Sequence, residues 1–461
     1  MGIYYLDPFG CVKNQVDAET MMAVLNAAGW QAAGAAADAD LIIINSCGFI
    51  DAAKQESINA VLAYRKNYPD KKILLAGCLA QRYAVDLAGA LPEADGLFGN
   101  ADLSRTALAA DKVMAGSTGG PAVGAGERVL HGGSGRTAVS VRGEDGDKPG
   151  AVTVSGNAGP GPVVPAPGDR PLLSMPGSAY IKIAEGCNNR CTFCALPDIR
   201  GPLRSRAIPP VVEECKRLLD RGIRELCLIG QDLGVYGSDL PGKQSLSTLL
   251  EALSALEGQF WVRLLYIHPD NFPLPILDLC RRDGRFLPYF DIPFQHGAAG
   301  ILRAMNRRGT AESYLTLIGK IRDTLPDAVI RSTFLVGFPG ENLEDFEALL
   351  EFQEKARLDW AGAFTYSREE GTPAYGMKNR VAKRVAEERK RGKAQVGGAT
   401  YAPHIYTLGS AGVIVYDYGC VLLTTIPGII HNTVQSAACM RNTGRTGPGV
   451  AWGGGISGGY Q

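Results

Sequence analysis

The chain has 461 residues, enough for about three domains at ~150 residues each, and this length excludes a peptide hormone or a small disulfide-stapled module. With 47 basic and 47 acidic residues the formal net charge is zero, so the whole chain offers no electrostatic reason to bind nucleic acid or a membrane surface. No apolar run reaches the ~20 residues of a transmembrane helix, and the N-terminus carries no secretion signal, which predicts a cytoplasmic protein without a membrane partner.

Residues 1–112 alternate short apolar runs with helical patterns, which predicts a parallel α/β sheet domain. The strand candidates are IYYLD, DLIIINS and KILLAG, and a helical pattern follows each of them. Cys11, Cys47 and Cys78 each come directly after one of these strands. Because the carboxyl ends of parallel strands meet at one edge of a sheet, we expect the three cysteines to converge there. The alternative is that each is a small buried apolar side chain.

Residues 113–175 are dominated by Gly, Ala, Pro, Ser and Val without a sustained period, which predicts a disordered linker or insertion that carries no chemistry. The segment 394–461 is also rich in glycine, and its charged residues are Asp417, Arg441 and Arg445. Within it, IYTLGSAGVIVYDYGCVLLTTI predicts one or two strands but no binding surface.

Residues 176–393 again alternate strand and helix patterns, and their six units predict a partial TIM-like (βα)6 barrel with its site at the carboxyl ends of the strands. The strand candidates are AYIKIA, ELCLIG, WVRLLY, PYFDIP, VIRSTFLVG and WAGAFTY. Polar residues follow several of them: Gln231 and Asp232 after the second, His268 after the third, and Gln295 and His296 after the fourth. A lone histidine in such a place is more often a satisfied core residue than a catalyst.

Cys187, Cys191 and Cys194 form a CxxxCxxC triplet after the first barrel strand. Three thiolates can ligate three irons of an iron-sulfur cubane and leave the fourth iron open for a substrate or cofactor. A structural zinc site, the alternative, needs a fourth Cys or His at similar spacing, and none follows in the loop. The odd total of eleven cysteines, several of them clustered, also favours metal or redox chemistry over disulfides.

The triplet with its flanks, EGCNNRCTFCALPDIRGPLRSR, resembles the radical S-adenosylmethionine (SAM) enzymes. The upstream motifs GCVKNQVDAE, NSCGFIDAAKQES and AGCLAQRY are similar to those of the methylthiotransferase subfamily. Within it, CGFIDAAKQES, CTFCALPDIRGPLRSR, DIPFQHGA and YSREEGTPAY resemble the RimO type, whose members methylthiolate an aspartate of a small-subunit ribosomal protein. A tRNA adenosine methylthiotransferase and a non-catalytic iron-sulfur electron-transfer protein remain the alternatives.

The resemblance implies two 4Fe-4S clusters and SAM as cofactors. The cluster on Cys187, Cys191 and Cys194 would pass one electron, supplied by a low-potential donor, into SAM. The resulting 5'-deoxyadenosyl radical would remove hydrogen from the aspartate β-carbon. A second cluster on Cys11, Cys47 and Cys78 would hold the sulfur that is methylated and then joins that carbon. Contacts to SAM are expected from four further residues: Phe193, Gln231, Asp232 and Gln295.

Two features bear on the substrate. Zero net charge agrees with a protein substrate, while a local basic surface from Arg200, Arg204 and Arg206 would suit either an acidic protein segment or RNA. Members of the family usually end in a small basic β-barrel, the TRAM domain. The weakly charged segment 394–461 stands in its place and departs from that pattern.

Overall fold

The computed structural model describes residues 2–116, 138–141, 151–153, 167–242, 244–396, 405–408, 411–415 and 421–425. The chain separates into two compact units, Met1–Tyr401 and Ala402–Gln461. Within the described ranges, none of the helices is both long and apolar enough to cross a membrane.

The first unit contains two domains, and the first of them is built on a sheet in the order β2-β1-β3-β4-β5-β6-β7. Neighbours from β2 to β5 pair in parallel, whereas β6 and β7 extend the sheet through antiparallel pairing. Its strands are β1 (Ile3–Pro8), β2 (Gln31–Ala32), β3 (Leu41–Ser46), β4 (Lys72–Gly77), β5 (Gly96–Phe98), β6 (Ala138–Val141) and β7 (Ala151–Thr153). Its helices are α1 (Val12–Ala27), α2 (Asp51–Asn67), α3 (Cys78–Ala90) and α4 (Thr106–Met114).

Alternation along the central strands gives this sheet a core on each face. Leu41 and Ile43 of β3 point to one side, where they pack with residues of α1 and α4, whereas Ile42 and Ile44 pack on the other with residues of α2 and α3. Both faces are therefore covered, as a parallel sheet requires. The strand and helix assignments made from the sequence for this domain are confirmed.

The second domain contains the predicted six parallel strands in the order β15-β14-β13-β12-β11-β8. These strands are β8 (Ser178–Lys182), β11 (Glu225–Ile229), β12 (Trp261–Leu264), β13 (Phe286–Asp291), β14 (Val329–Val336) and β15 (Trp360–Thr365). The short strands β9 (Ala184–Glu185) and β10 (Arg204–Ser205) pair antiparallel beside them. The helices are α5 (Leu196–Arg200), α6 (Ile208–Asp220), α7 (Leu246–Ser254), α8 (Pro275–Arg282), α9 (Ala299–Ala304), α10 (Ala311–Thr324), α11 (Leu343–Ala356) and α12 (Lys383–Val396).

The strands and helices alternate as the partial (βα)6 barrel predicts, so all six strands end on the same edge and their following loops gather there. Helix α12 runs past residue 393, the predicted end of this domain, because its helical pattern continues to Val396.

Part of the segment predicted as a disordered linker is ordered. Helix α4 reaches Met114. Strands β6 and β7 pair with the sheet edge through main-chain hydrogen bonds, and such pairing needs no periodic pattern of apolar side chains. At the other end, Arg170 is only 3% exposed and packs between the two domains. The rest of the prediction, over residues 117–137, 142–150 and 154–166, falls outside the described residues.

The described residues of the second unit form three strands, β16 (Ile405–Leu408), β17 (Ala411–Val415) and β18 (Val421–Thr425), which pair as an antiparallel sheet. The expected one or two strands were therefore too few. Three separate short apolar runs, IYTL, AGVIV and VLLTT, each form one strand.

Candidate functional site

Three cysteines lie at the carboxyl edge of the first sheet. Cys11 follows β1 at the N-cap position of α1, Cys47 follows β3, and Cys78 follows β4 as the first residue of α3. These strands are neighbours in the sheet, so their ends lie side by side. A Cβ built on Gly10 would stand 3.0 Å from the Cβ of Cys47, and one built on Gly48 would stand 2.7 Å from the carbonyl oxygen of Cys78. The structure thus brings the three cysteine loops together.

The exposure of these thiols differs. Cys11 is exposed, Cys47 is half-buried and Cys78 is buried. Burial raises the pKa of Cys47 to about 11 and the pKa of Cys78 to about 12, although Arg200 acts in the opposite direction on both. A bound metal, which withdraws charge from sulfur, is the ordinary means of deprotonating such thiols.

Cys78 is surrounded by hydrogen-bonding partners from both domains. Its thiol donates to Asn14 Oδ1 at 3.2 Å, and its Sγ accepts from Asn100 Nδ2 and from Arg200 Nη2, each at 3.3 Å. Arg200 belongs to α5 of the second domain, six residues after Cys194. Hydrogen bonds to sulfur stabilise a thiolate and tune a cluster bound to it.

The second set, Cys187, Cys191 and Cys194, lies in the loop between β9 and α5 at the barrel mouth. All three side chains are half-buried. Burial raises the pKa of Cys187 and raises that of Cys194 to about 12, and main-chain N–H groups of Asn189 and Leu196 work against those shifts. Main-chain N–H groups that act in this direction favour the thiolate form, which is the form that ligates iron.

Tight backbone contacts hold this loop. Gly186 adopts φ +73°, and a Cβ there would come within 2.0 Å of the carbonyl oxygen of Pro202, so only glycine fits immediately before Cys187. Thr192 in the middle of the loop donates from its N–H to Met305 O and from its hydroxyl to Ala304 O, at the end of α9. The loop is therefore fixed at both its start and its centre.

Asp232, one of the expected SAM contacts, accepts four hydrogen bonds from its own chain. Oδ1 accepts from the N–H groups of Gly234 and His268, and Oδ2 accepts from the side-chain amides of Asn189 and Asn271. The residue is 2% exposed and both of its oxygens are filled. Asp232 thus orients Asn189 within the cysteine loop instead of offering a free carboxylate.

Gln231, by contrast, is available. Both polar atoms of its buried amide lack a hydrogen-bond partner among the described residues. A buried amide left unpaired costs free energy, so a polar group that enters the barrel mouth would be bound there. This orphaned amide fits the expectation of a cofactor contact at the end of β11.

The remaining predicted contacts are placed as follows. Phe193 packs against an apolar cluster that includes Ile301, Met305 and Phe338. Gln295 has φ +71° and joins the sheet through its backbone, accepting from Leu335 N–H at 2.8 Å. Its place after β13 puts it at the mouth of the barrel.

Both histidines are held by structural hydrogen bonds. Nδ1 of His296 accepts from the N–H of Ala298, and its Nε2 lies 3.5 Å from a Glu341 carboxylate oxygen. Nδ1 of His268 accepts from the N–H of Asp270. Burial, reinforced by Arg307, lowers the pKa of His268 to about 4, so it is neutral at physiological pH. Neither ring offers a free base.

The predicted basic surface needs correction. Arg200 is 4% exposed and forms ion pairs with Asp17 at 3.0 Å and Glu185 at 3.0 Å. Arg206 is half-buried and pairs with Glu214, which leaves Arg204 as the exposed member of the three. A local run of arginines does not reveal buried carboxylates that are distant in sequence, and for this reason the surface was overestimated.

Ion pairs between the two domains are numerous, and the sequence analysis did not predict them. Asp17 of α1 pairs with Lys182 and Arg200, and Glu19 pairs with Arg170, all within the first two turns after Cys11. On the other side, Glu369 of the YSREEGTPAY motif pairs with Lys54 and Arg82 of α2 and α3. These two sets of ion pairs hold the first cysteine set against the barrel domain.

Six thiols in two loop clusters are a soft donor set suited to iron-sulfur clusters. In the part of the chain that the structure describes, no three His, Cys, Asp or Glu side chains are grouped to hold a single metal ion. In a cubane each thiolate binds a separate iron. The main-chain N–H groups of Asn189 and Leu196 act on the thiols of Cys187 and Cys194 in the direction that a bound cluster needs. The unpaired amide of Gln231 fits a polar ligand at the barrel mouth.

Two family models match the chain. Residues 3–99 match the model described as "Uncharacterized protein family UPF0004", and residues 181–352 match the radical SAM superfamily. The ribosomal protein uS12 methylthiotransferase RimO of Treponema denticola is 45% identical over 83% of this chain and 80% of its own length. The RimO of Pelotomaculum thermopropionicum is 40% identical over 82% of this chain and 78% of its own length.

Solved structures show the same fold at low identity. The radical SAM methyltransferase TsrM from Kitasatospora setae, solved with cobalamin and a [4Fe-4S] cluster, gives a TM-score of 0.54 at 15% identity, covering 81% of this chain and 76% of its own. The cobalamin-dependent radical SAM enzyme OxsB gives a TM-score of 0.52 at 13% identity, covering 86% of this chain and 56% of its own.

Proposed function

The chain belongs to the RimO family of radical SAM methylthiotransferases, and on that premise we propose that it adds a methylthio group to the β-carbon of an aspartate in ribosomal protein uS12. The observation that carries the proposal is the 45% identity to a RimO over 83% of the chain. An iron-sulfur cluster and SAM are cofactors of the family.

We assign the family's cluster to Cys187, Cys191 and Cys194 and a second cluster to Cys11, Cys47 and Cys78. When bound, the first would supply the electron that cleaves SAM, and the second would hold the sulfur that is transferred. The reductive step needs a low-potential electron donor. With uS12 as substrate, the enzyme would work beside the ribosome in the cytoplasm.

The chain's own residues provide position and enclosure. Asp232 fixes Asn189 and hence the loop that carries Cys187, while Gln231 offers its unpaired amide to the polar end of SAM. Arg200 donates to Cys78 and is itself fixed by Asp17. The ion pairs between the domains keep the two cysteine sets facing one barrel mouth, where water would otherwise quench a radical.

The test is mass spectrometry after anaerobic reconstitution with iron, sulfide, reductant and SAM, with ribosomal small subunits and unmodified tRNA offered in one reaction. A methylthio mass gain on a uS12 aspartate is the expected result. A methylthio mass gain on tRNA adenosine instead would make the protein a tRNA adenosine methylthiotransferase. SAM binding without any cleavage under reducing conditions would favour an electron carrier.

A further inference from the structure

Lys13 reaches from the first domain into the mouth of the barrel. It lies in the first turn of α1, two residues after Cys11, and is only 8% exposed. Its Nζ stands 3.2 Å from the ring centroid of Tyr266, just beyond the end of β12. Tyr266 itself has φ +71°, a rare conformation for a residue with a side chain, and its carbonyl accepts from Leu233 N–H.

The acidic groups near this ammonium are already paired with other cations. The largest charge effects on Lys13 come from Cys11, from the cation Arg200, and from the carboxylates Asp291 and Glu185. Glu185 is paired with Lys182 at 2.5 Å and with Arg200 at 3.0 Å. Asp291 is paired with Arg331 at 2.9 Å. Among the described residues, no carboxylate forms an ion pair with Lys13.

A comparison with Lys182 makes the situation of Lys13 clear. Both lysines are largely buried between the domains, yet Lys182 has two carboxylates, Asp17 and Glu185, whereas the ammonium of Lys13 has an aromatic ring. An ammonium carries three N–H donors, and a ring face satisfies at most part of their demand. Burying a cation without an anion costs free energy, so an anion that enters the mouth would be bound there.

We propose that Lys13 binds the side-chain carboxylate of the target aspartate. This inference rests on the proposed function, because it takes an aspartate as the group that enters the mouth. The β-carbon of aspartate is bonded directly to the carboxyl carbon. An ammonium that holds the carboxylate would therefore place the reacting carbon beside Cys11, at the edge of the first cysteine set. Lys13 would then also discriminate against a neutral amide at the modified position.

The test compares the reconstituted wild-type enzyme with Lys13→Met and Lys13→Arg. Recombinant uS12 carrying either Asp or Asn at the modified position is the ligand, and its affinity is measured by fluorescence anisotropy under anaerobic conditions. Lys66→Met is the matched control, since Lys66 is an exposed lysine of α2. SAM affinity, iron content and the electron paramagnetic resonance spectrum are measured on every variant.

We expect Lys13→Met to weaken binding of the Asp form by about tenfold or more and to leave binding of the Asn form unchanged. Lys13→Arg should retain much of the preference for Asp, and Lys66→Met should retain all of it. SAM affinity, iron content and spectrum should stay as in the wild type.

Equal loss for the Asp and Asn forms would overturn the assignment. So would a selective loss of SAM affinity, which would mean that Lys13 binds the SAM carboxylate, or a changed spectrum, which would mean that it serves the cluster. If the wild type binds neither form of uS12, the proposed function fails as well. If the wild type modifies uS12 while Lys13→Met keeps full preference for Asp, the inference on Lys13 fails alone.

Discussion

Replacing Arg170 by Met should loosen α1, because Arg170 is the cation that pairs with Glu19. The side chain of Glu19 is 0% exposed, and Arg170 Nε donates to it at 2.8 Å. Arg170 also pairs with Glu214 and donates to Tyr180 O. Glu214 retains Arg206 as a second partner, so the variant leaves Glu19 as the buried carboxylate without its cation.

Removing one member of a buried ion pair costs about 3–5 kcal/mol. In a chain of several domains, this loss is best measured locally, by amide hydrogen exchange of α1. An equal loss of local stability corresponds to exchange that is roughly a hundredfold to a few thousandfold faster. Because α1 carries Cys11 at its start, sulfur transfer should fall while SAM cleavage at the other cysteine set is largely retained.

Two further variants make this expectation strict. Arg281→Met removes an exposed surface pair with Asp278 and should cost no more than about 1 kcal/mol. The double variant with Arg170→Met and Glu19→Gln removes the unpaired charge, so α1 should exchange more slowly in it than in Arg170→Met alone. Exchange in Arg170→Met that rises less than about tenfold, or a double variant no slower than the single, would refute the reasoning.

Three other predictions concern the site. Cys191→Ala should abolish SAM cleavage whereas Cys47→Ala should spare part of it without sulfur insertion, as measured by release of 5'-deoxyadenosine; complete loss in both would contradict the assignment of the two sets. Glu369→Gln should weaken the attachment to Lys54 and Arg82 by about 1.5–3 kcal/mol, seen as faster exchange in α2 and α3 and as a lower ratio of methylthiolation to SAM cleavage. The lowered pKa of His268, about 4 against an ordinary 6.5, means that the folded state binds the proton more weakly than the unfolded state. The free energy of unfolding that this group contributes is therefore present above about pH 6.5 and lost as the pH falls through 4. Urea unfolding at about pH 7 and about pH 5 should show that the free energy of unfolding falls less in His268→Asn than in the wild type. An equal fall in both proteins would count against this prediction.

The sequence predicted the fold well where short-range periodicity decides it. The six barrel strands and the parallel sheet of the first domain were found because apolar runs of strand length alternate with helical patterns. Strands β6 and β7 were missed, since edge strands that pair through their backbones need no apolar period.

Helix α1 shows why the site was only partly predictable. Its position was predicted, but Lys13, Asn14, Asp17 and Glu19 are polar or charged residues of the kinds that usually face solvent, and the structure buries all four. Asp17 pairs with Lys182 of the second domain and Glu19 pairs with Arg170 of the joining segment, and both partners lie more than 150 residues away along the chain. A pattern over a few neighbouring residues cannot predict ion pairs with residues so distant in sequence. The same limit applies to Asp232, whose four donors come from three separate loops.

The ionic attachment between the domains restricts how this architecture can be rearranged. A parallel sheet and a barrel joined by a long segment look like interchangeable modules, but α1 forms ion pairs with Arg170, Lys182 and Arg200, which all belong to the other side of that joint. A chimera that took its first domain from another protein would have to bring matching carboxylates at positions 17 and 19 or replace the three cations as well. The two halves are therefore expected to be exchangeable only as a matched pair.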